Sequence, residues 1–386
     1  MKLTSKVIFL WLLLTINAGA SDLNSVQSDI HILFEKYLLE DDIYSASIAI
    51  FSPSKNIDWN FVAGQFRNNE KVLHTNSFHT ASVGKTFTAT AVLLLYEKGY
   101  LNLNDRIGMH LSEEVLTGLH QYKNKNYASE ITIKQLLQHT SGLPNYFEDK
   151  TTDGAPNGMS LLFSQIKRIW SPEELLNISK MNMKPHFIPG TSFHYSDTGY
   201  ILLGLIVQQI SGLQLHDFFE KHIFAPLGMK NTYMHLRVEA SLVSGKMMEL
   251  YAGNTELSTF KSLSLDWAGG GIASTAEDLN KFQFALHSHQ LLSLDTLAMM
   301  QQWIPESKGI YYGFGLRKVN VKERLSSESN LNLVGHTGST SSFMFFCPEL
   351  DVYVSGSFNQ IDQAALSIDA PIEILNHIRR SMKSEE

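Results

Sequence analysis

Residues 78–89 read Phe-His-Thr-Ala-Ser-Val-Gly-Lys-Thr-Phe-Thr-Ala and include a Ser-x-x-Lys pattern, from Ser82 to Lys85. From Ser82 onward the apolar spacing predicts a long helix that ends near Lys98, where Gly99 follows. Residues three positions apart lie on one face of a helix, so the Lys85 amine can reach the Ser82 hydroxyl. A serine at the start of a helix also experiences the positive end of the helix dipole, which favours negative charge on an attacking oxygen. The pattern indicates either a simple N-cap or a lysine-activated nucleophile.

The Ser-x-x-Lys pattern is weak by itself, because the sequence contains it four times. The copies begin at Ser52, Ser82, Ser164 and Ser258. Only the copy at Ser82 is followed by apolar helical turns, so its surroundings distinguish it from the other three. Residues 83–86 also match the end of a phosphate-binding loop, but that loop requires a glycine where this sequence has His79.

Further segments follow in a fixed order along the chain. They are Gly99-Tyr100-Leu101-Asn102-Leu103-Asn104-Asp105, Ile131-Thr132-Ile133-Lys134-Gln135-Leu136-Leu137-Gln138-His139-Thr140-Ser141-Gly142-Leu143-Pro144, Pro189-Gly190 with Tyr195-Ser196-Asp197-Thr198-Gly199-Tyr200, Pro226-Leu227-Gly228-Met229 with Gly269-Gly270-Gly271-Ile272, and Gly335-His336-Thr337-Gly338-Ser339-Thr340. Together with residues 78–89, these segments resemble the serine β-lactamase and penicillin-binding superfamily, in its class C and DD-peptidase-like branch. One short motif arises easily by chance, whereas this ordered series does not.

The resemblance implies catalysis through an acyl-enzyme. Ser82 would be the nucleophile, and Lys85 and Tyr195 would share the removal and return of its proton. Which of the two is the base stays open, and either one would need a pKa lowered by its neighbours to act near neutral pH. The backbone N–H groups of Ser82 and Ser339 would form the oxyanion hole.

The third motif and the second catalytic segment imply the substrate contacts. His336 is expected among the catalytic residues, with Thr337 and Gly338 along the strand on which the substrate lies. Asp197 stands where the family commonly has asparagine, and an ionised carboxylate only accepts hydrogen bonds, which favours a substrate amine or amide N–H. A mostly neutral histidine at 336 is a weaker carboxylate anchor than the lysine typical of class C β-lactamases. We expect Asn145 and Tyr146 to line the site as well.

These features favour an exported serine hydrolase that acts on peptides containing D-amino acids, as a DD-carboxypeptidase or D-aminopeptidase does, or on esters. Its partner would be a small-molecule or peptide substrate such as a cell-wall-like peptide, an ester or a β-lactam. Hydrolysis of penicillins is expected to be weak or absent. Two alternatives stay open, a true class C-like β-lactamase and a non-catalytic binding or scaffold member of the fold.

Composition limits the other function classes. The 386 residues include 31 Lys+Arg and 38 Asp+Glu, for a formal net charge of −7, which argues against nucleic acid as a partner. The single cysteine, Cys347, excludes an internal disulfide and a Cys-rich zinc site, and a place in the core is expected for it. The spacing of the 15 histidines predicts no metal site, and the resemblance implies no cofactor.

The first twenty residues fit a secretory signal peptide. Lys2 and Lys6 precede a short apolar run, and Ala18-Gly19-Ala20 offers small residues before a predicted cleavage at Ser21. The run is shorter than the ~20 apolar residues of a membrane span, so no stable anchor is expected. The pattern predicts a bacterial protein that is periplasmic or secreted.

Strand patterns stand at both ends of the remaining chain, and helical patterns dominate its middle. The clearest predictions are a hairpin of Ser45–Phe51 and Ile57–Ala63, a helix over Thr198–Ile210, a strand over Tyr312–Val319 and a closing helix over Pro371–Met382. We therefore predict an α+β, β-lactamase/transpeptidase-like fold, in which one antiparallel sheet from both chain ends is flanked by helices. The expected domains are residues 21–100 with 265–386 for the sheet, and an inserted, mostly helical domain over 101–264.

Overall fold

The structure is a computed structural model, and it describes residues 23–39, 42–238 and 245–383. The α-helices are α1 (23–37), α2 (Gly84–Glu97), α3 (Glu113–Leu116), α4 (Ile133–Leu137), α5 (Gly158–Ser164), α6 (Pro172–Asn182), α7 (Asp197–Ser211), α8 (Leu215–Phe219), α9 (Ala225–Leu227), α10 (Trp267–Gly270), α11 (Ala276–His287), α12 (Leu294–Met300), α13 (Val321–Leu325) and α14 (Leu366–Lys383). The strands are β1 (Ser45–Ser52), β2 (Ile57–Gly64), β3 (Phe78–His79), β4 (Gln121–Tyr122), β5 (Lys125–Asn126), β6 (Tyr233–Met234), β7 (Tyr251–Ala252), β8 (Thr255–Glu256), β9 (Ile272–Ser274), β10 (Ile304–Ser307), β11 (Ile310–Tyr312), β12 (Arg317–Asn320), β13 (Asn332–Thr337), β14 (Phe343–Cys347) and β15 (Val352–Ser357).

Strands from both ends of the chain form one eight-stranded sheet, which confirms the predicted α+β architecture. Its order is β10-β11-β12-β13-β14-β15-β1-β2, and every neighbouring pair is antiparallel. The predicted N-terminal hairpin forms as β1 and β2, with Ser47 opposite Ser357 on the last strand. The N-terminal and C-terminal parts of the chain therefore pair directly, as β1 and β15, next to the edge strand β2.

The sheet separates two apolar cores, because successive side chains of a strand point to opposite faces. On β14, Phe343 and Phe345 enter the core beneath α1 and α14, whereas Met344 enters the larger core on the other side. Cys347 joins the first of these cores and is fully buried, as predicted for a core residue. The larger core contains helix α2, whose Phe87 ring stacks on Phe282 of α11 at a centroid distance of 3.9 Å.

Two predicted elements have wrong boundaries. A single strand over Tyr312–Val319 was expected, but β11 and β12 are separate strands joined by a turn in which Gly315 has φ +65°. The glycines at 313 and 315 permit the reversal that the apolar pattern concealed. The last helix was expected to begin at Pro371, and it begins at Leu366, so the proline lies inside the helix.

The described residues between 101 and 264 contain α3 to α9 and five two-residue strands, β4 to β8, in keeping with the mostly helical pattern of this region. The division into two domains at these boundaries stays a prediction. Within the described ranges, no single helix is long and apolar enough to span a membrane, although the pair α7 and Leu215–Leu227, bent by 74°, meets the criteria of length and composition together. The predicted signal peptide lies outside the described residues.

Candidate active site

Ser82 lies in a short 3₁₀ turn, Ala81–Val83, immediately before α2, rather than in the α-helix that its sequence pattern predicts. The turn leaves Ser82 partly exposed between two buried neighbours, Ala81 and Val83. Ala81 has φ +44°, a conformation that is costly for a residue with a Cβ. Gly270 packs against it so closely that a Cβ on Gly270 would lie 2.8 Å from the Ala81 carbonyl. Close backbone packing therefore fixes the Ser82 turn.

The Lys85 amine reaches Ser82, as the spacing predicts. Its Nζ donates to Ser82 Oγ at 3.0 Å and to the Gly269 carbonyl at 2.9 Å. It also contacts the carboxylate of Asp197, the first residue of α7. The lysine side chain is fully buried, so these three acceptors satisfy a charged group that burial would otherwise strongly disfavour.

Neither candidate base has the lowered pKa that the sequence analysis expects. Burial lowers the pKa of Lys85, but the negative charge of Asp197 and the coupling to Tyr195 outweigh burial and raise it above its usual value. Burial and the Asp197 charge raise the pKa of the Tyr195 hydroxyl, against the opposing effect of Lys85. The substrate-free protein therefore does not meet that requirement, because the Asp197 carboxylate stabilises the Lys85 ammonium and opposes a tyrosinate at Tyr195.

The Tyr195 hydroxyl group lies close enough to Lys85 for the two groups to influence each other's pKa. Its Oη is buried and hydrogen-bonded to no residue within the described ranges. The Lys85 Nζ lies 4.9 Å from the centroid of the Tyr195 ring, a cation–π distance. The rings of His139 and Tyr312 pack around it at 4.3 and 5.9 Å. A buried hydroxyl that forms no hydrogen bond can bond a reacting group.

His336 does not offer a free nitrogen to a ligand in this structure. Its Nδ1 pairs with the Thr337 carbonyl oxygen at 2.7 Å, and its Nε2 pairs with the Tyr312 hydroxyl at 3.1 Å. Burial, followed by the charges of Arg317 and Lys85, lowers the pKa of His336 well below its usual value. The His336 imidazole is therefore neutral, as expected for a histidine at this position of the third motif.

An arginine that the sequence analysis missed lies next to the third motif. Arg317 is paired with Gly335 across β12 and β13 and donates to Thr337 Oγ1 at 2.6 Å. Its guanidinium group forms two hydrogen bonds to the Glu306 carboxylate, at 2.9 and 2.5 Å. The sequence does not indicate that Arg317 lies next to Thr337, because only the register of β12 and β13 brings the two residues together.

Gly338 brings the turn after β13 against the Ser82 segment. Its N–H donates to the Ser342 carbonyl at 2.7 Å, and a Cβ on it would lie 2.4 Å from the Thr80 carbonyl oxygen. Ser339, the next residue, is exposed, and its N–H donates to no other residue in the part of the chain that the structure describes. That N–H group is thus available for the predicted oxyanion contact.

Asn145 and Tyr146 lie behind the site rather than along an open surface. Asn145 Oδ1 accepts the N–H of Asp197 at 3.3 Å, and its exposed fraction is only 2%. The Tyr146 hydroxyl donates to the Leu265 carbonyl, and its ring is also buried. Asn145 therefore positions the start of α7, whereas Tyr146 is part of the core.

A second carboxylate stands near Lys85 that no motif identifies. Burial, together with the charge of Asp197, raises the pKa of Asp266 to about 7. Its Oδ2 lies 3.6 Å from His79 Nε2, but burial lowers the pKa of that histidine to about 3, so the pair is not an ion pair near neutral pH.

A family model described as Beta-lactamase matches residues 33–375. The chain belongs to the β-lactamase family. Penicillin-binding protein 4* of Bacillus subtilis (strain 168) is 29% identical over 278 residues, which cover 67% of this chain and 57% of that protein. The chain spans about half the length of the curated relatives it matches.

Solved structures confirm the β-lactamase/transpeptidase fold. A D-stereospecific amidohydrolase from Streptomyces sp. has a TM-score of 0.71 and 24% identity, covering 88% of this chain and 96% of that one. A D-amino acid amidase from Ochrobactrum anthropi SV3 has a TM-score of 0.72 and 21% identity, covering 94% of this chain and 99% of that one. At these identities the likeness establishes the fold, which is one that serine hydrolases use.

Proposed function

We propose that the protein is a serine hydrolase that works through an acyl-enzyme on Ser82. The observation that carries this proposal is the position of the Lys85 amine, 3.0 Å from Ser82 Oγ and held on its other side by Asp197. A serine hydroxyl attacks a carbonyl carbon efficiently only when a neighbouring group takes its proton. Family membership supports the same assignment.

In the proposed reaction, Ser82 Oγ bonds to the substrate carbonyl carbon as its proton passes to the base. The N–H groups of Ser82 and Ser339 hold the resulting oxyanion. Collapse of the tetrahedral intermediate breaks the bond to the leaving amine or alcohol, which receives the proton. Water then attacks the acyl-enzyme and regenerates the serine in the same two stages.

Lys85 and Tyr195 remain the two candidates for the base. Lys85 is an ammonium group in the substrate-free protein, because Asp197 raises its pKa, so it must release a proton before it can accept one from Ser82. The buried Tyr195 hydroxyl forms no hydrogen bond within the described residues, but burial raises its pKa. The activity should therefore be greater on the alkaline side of neutral pH.

The charges around the site favour a substrate with a free amine and an uncharged carbonyl end. Arg317 is neutralised by Glu306, and His336 is uncharged, so neither offers a free positive charge to a substrate carboxylate. Asp197 offers a carboxylate acceptor whose charge Lys85 balances, and Asp266 becomes anionic as the pH passes its raised pKa of about 7. Amides and peptides of D-amino acids with a free amino group fit this pattern, and two structures of similar fold are titled as a D-stereospecific amidohydrolase and a D-amino acid amidase.

Parallel assays of several substrates test the proposal. D-alanine amide, its L-enantiomer, an N-acylated D-Ala-D-Ala peptide and benzylpenicillin would be compared with purified protein and with Ser82→Ala. We expect the D-amide to have the highest kcat/KM and the Ser82→Ala variant to lose activity by a factor of ~10³ or more. Preference for the L-amide would overturn the substrate assignment, and rapid Ser82-dependent turnover of benzylpenicillin would establish the β-lactamase alternative.

Export through residues 1–20 is also part of the proposal. Expression in a Gram-negative host followed by fractionation and N-terminal sequencing tests it. A periplasmic product that begins at Ser21 is expected. An unprocessed product in the cytoplasm would contradict it.

A further inference from the structure

Three side chains of metal-binding type meet beside the active site, outside the Ser82 centre. Asp149 Oδ2 accepts hydrogen bonds from His186 Nε2 at 2.7 Å and from His194 Nε2 at 2.9 Å. One ligand atom from each residue lies within 4.8 Å of the others. None of the three has a role in the proposed hydrolysis, although His194 immediately precedes Tyr195.

The backbone holds these side chains in place from separate segments. The N–H of His186 donates to the Gly142 carbonyl at 2.9 Å, and the N–H of Asp149 donates to the Asn145 carbonyl at 3.0 Å. The Asn145 N–H also donates to Asp149 Oδ2 at 2.8 Å, so it orients the carboxylate from behind. Such support of a ligand by a neighbouring donor is usual in metal centres.

The donor set suits a divalent transition-metal ion. Two imidazole nitrogens and one carboxylate oxygen are ligands that Zn²⁺ binds readily, and hard ions such as Mg²⁺ prefer oxygen alone. Around a tetrahedral zinc ion, ligand atoms stand about 3.3 Å apart, given bond lengths of about 2.0–2.1 Å. The two hydrogen-bonded pairs would need to separate by only about half an ångström.

The cluster is open to solvent on one side. The exposed fractions of the side chains are 21% for Asp149, 38% for His186 and 27% for His194. An ion can therefore enter without unfolding of the segments, and water can supply a fourth ligand.

We propose that Asp149, His186 and His194 bind one divalent transition-metal ion, with Zn²⁺ as the probe of choice. The ion would join the segment after α4 to the segment that leads into Tyr195. Since it would bind the folded chain and not the unfolded one, it would stabilise the fold. The positions 149, 186 and 194 follow no spacing rule, which is why the sequence pattern predicts no metal site.

The first test measures zinc bound to the untagged protein after treatment with EDTA, reloading with Zn²⁺ and dialysis. We expect one zinc per chain and a rise in the melting temperature. His186→Asn and His194→Asn should each lose the ion. His110→Asn is the matched control, since His110 pairs with a single carboxylate, Asp105, at 3.2 Å, and it should retain the ion. Equal zinc content in all variants, or no zinc in the wild type, would overturn the proposal.

A second measurement covers the case in which the variants fail to fold. The wild-type protein would be loaded with Co²⁺ and its visible absorption recorded. Intense bands typical of a four- or five-coordinate site with nitrogen ligands would support the proposal. The weak spectrum of the hydrated ion would overturn it.

Discussion

Asp197 keeps Lys85 in its cationic form, and this pair controls the protonation of the site. The ammonium group donates to Ser82 Oγ, so it orients the nucleophile but cannot take its proton until it is neutral. Lys85 also interacts electrostatically with five other titratable groups: Tyr195, Asp266, Glu148, His139 and His336. Asp197 contacts Lys85 more closely than any of these groups, so removal of the Asp197 charge should change the pKa of Lys85 the most.

Asp197→Asn should therefore move the pH dependence of hydrolysis. Loss of the carboxylate lowers the pKa of Lys85, so the neutral amine is populated at lower pH. The acid limb of kcat/KM against pH should shift down by about one unit or more. Profiles of the wild type and the variant on the same D-amide measure this shift. An unchanged acid limb would show that Lys85 does not control the reaction.

The sequence predicts local contacts of the site and misses distant ones. Ser82 and Lys85 are three residues apart on one helical turn, so their contact follows from spacing alone. The contact of Lys85 with Asp197 joins residues 112 positions apart, and no periodicity reports it. Arg317 is missed for the same reason, since it reaches Thr337 only through the register of two strands.

At the scale of elements, α2 and α10 pack backbone to backbone, and this contact sets the Ser82 turn. A Cβ on Gly84 would lie 2.9 Å from the Gly270 Cα, and a Cβ on Gly270 would lie 2.8 Å from the Ala81 carbonyl. Backbone atoms cannot move aside as a flexible side chain does, so a methyl group here must separate the elements.

Gly270→Ala should lower both stability and reactivity. We expect a loss of about 1–3 kcal/mol in the free energy of unfolding, because of overpacking, and a lower rate of Ser82 acylation, because the turn is displaced. Gly199→Ala is the control, since a Cβ at this helical position meets Leu136 at an ordinary 3.6 Å. Denaturant unfolding and acylation kinetics measure both effects. Equal behaviour of the two variants would contradict this account of the turn.

Elements with strong apolar periodicity were predicted with nearly correct bounds, whereas a turn made of apolar residues was missed. The hairpin of β1 and β2 and the helix α7 appear within a residue of their expected bounds. The break between Tyr312 and Arg317 was missed, because Phe314 and Leu316 continue the apolar pattern through the turn and are buried there. A buried turn contains apolar residues in place of the polar ones by which turns are usually recognised in a sequence.

At the scale of the whole molecule, the fold followed from the placement of strand patterns at both chain ends. The structure adds that this sheet is covered by an apolar core on each face. The order of the sheet, in which β1 lies between β15 and β2, could not be read from the sequence, because pairing of distant strands leaves no local trace.

Asp266 should make the stability of the whole molecule depend on pH. Its pKa is about 7 in the folded state and 3.8 without the fold, so the folded protein binds an extra proton between these values. Its contribution to the free energy of unfolding is therefore largest below about pH 4 and is lost as the pH rises toward about 7.

Asp266→Asn should abolish the decrease in the free energy of unfolding that accompanies ionisation of Asp266, because the amide is neutral at every pH. The variant should exceed the wild type by about 1–4 kcal/mol at pH ~8, and the difference should shrink toward pH ~4. Urea unfolding at the two pH values measures it. A variant less stable than the wild type at pH ~8 would show that the ionised carboxylate stabilises the fold.

Covalent labelling shows whether Ser82 is an activated nucleophile. Intact-mass spectrometry would follow the protein with a fluorophosphonate, beside Ser82→Ala and Lys85→Ala. We expect one adduct per chain, located on Ser82 by peptide mapping, no adduct in Ser82→Ala, and labelling slowed by a factor of ~10² or more in Lys85→Ala. Absence of an adduct on the folded wild-type protein, or an adduct that persists in Ser82→Ala, would contradict the role of Ser82 as the nucleophile.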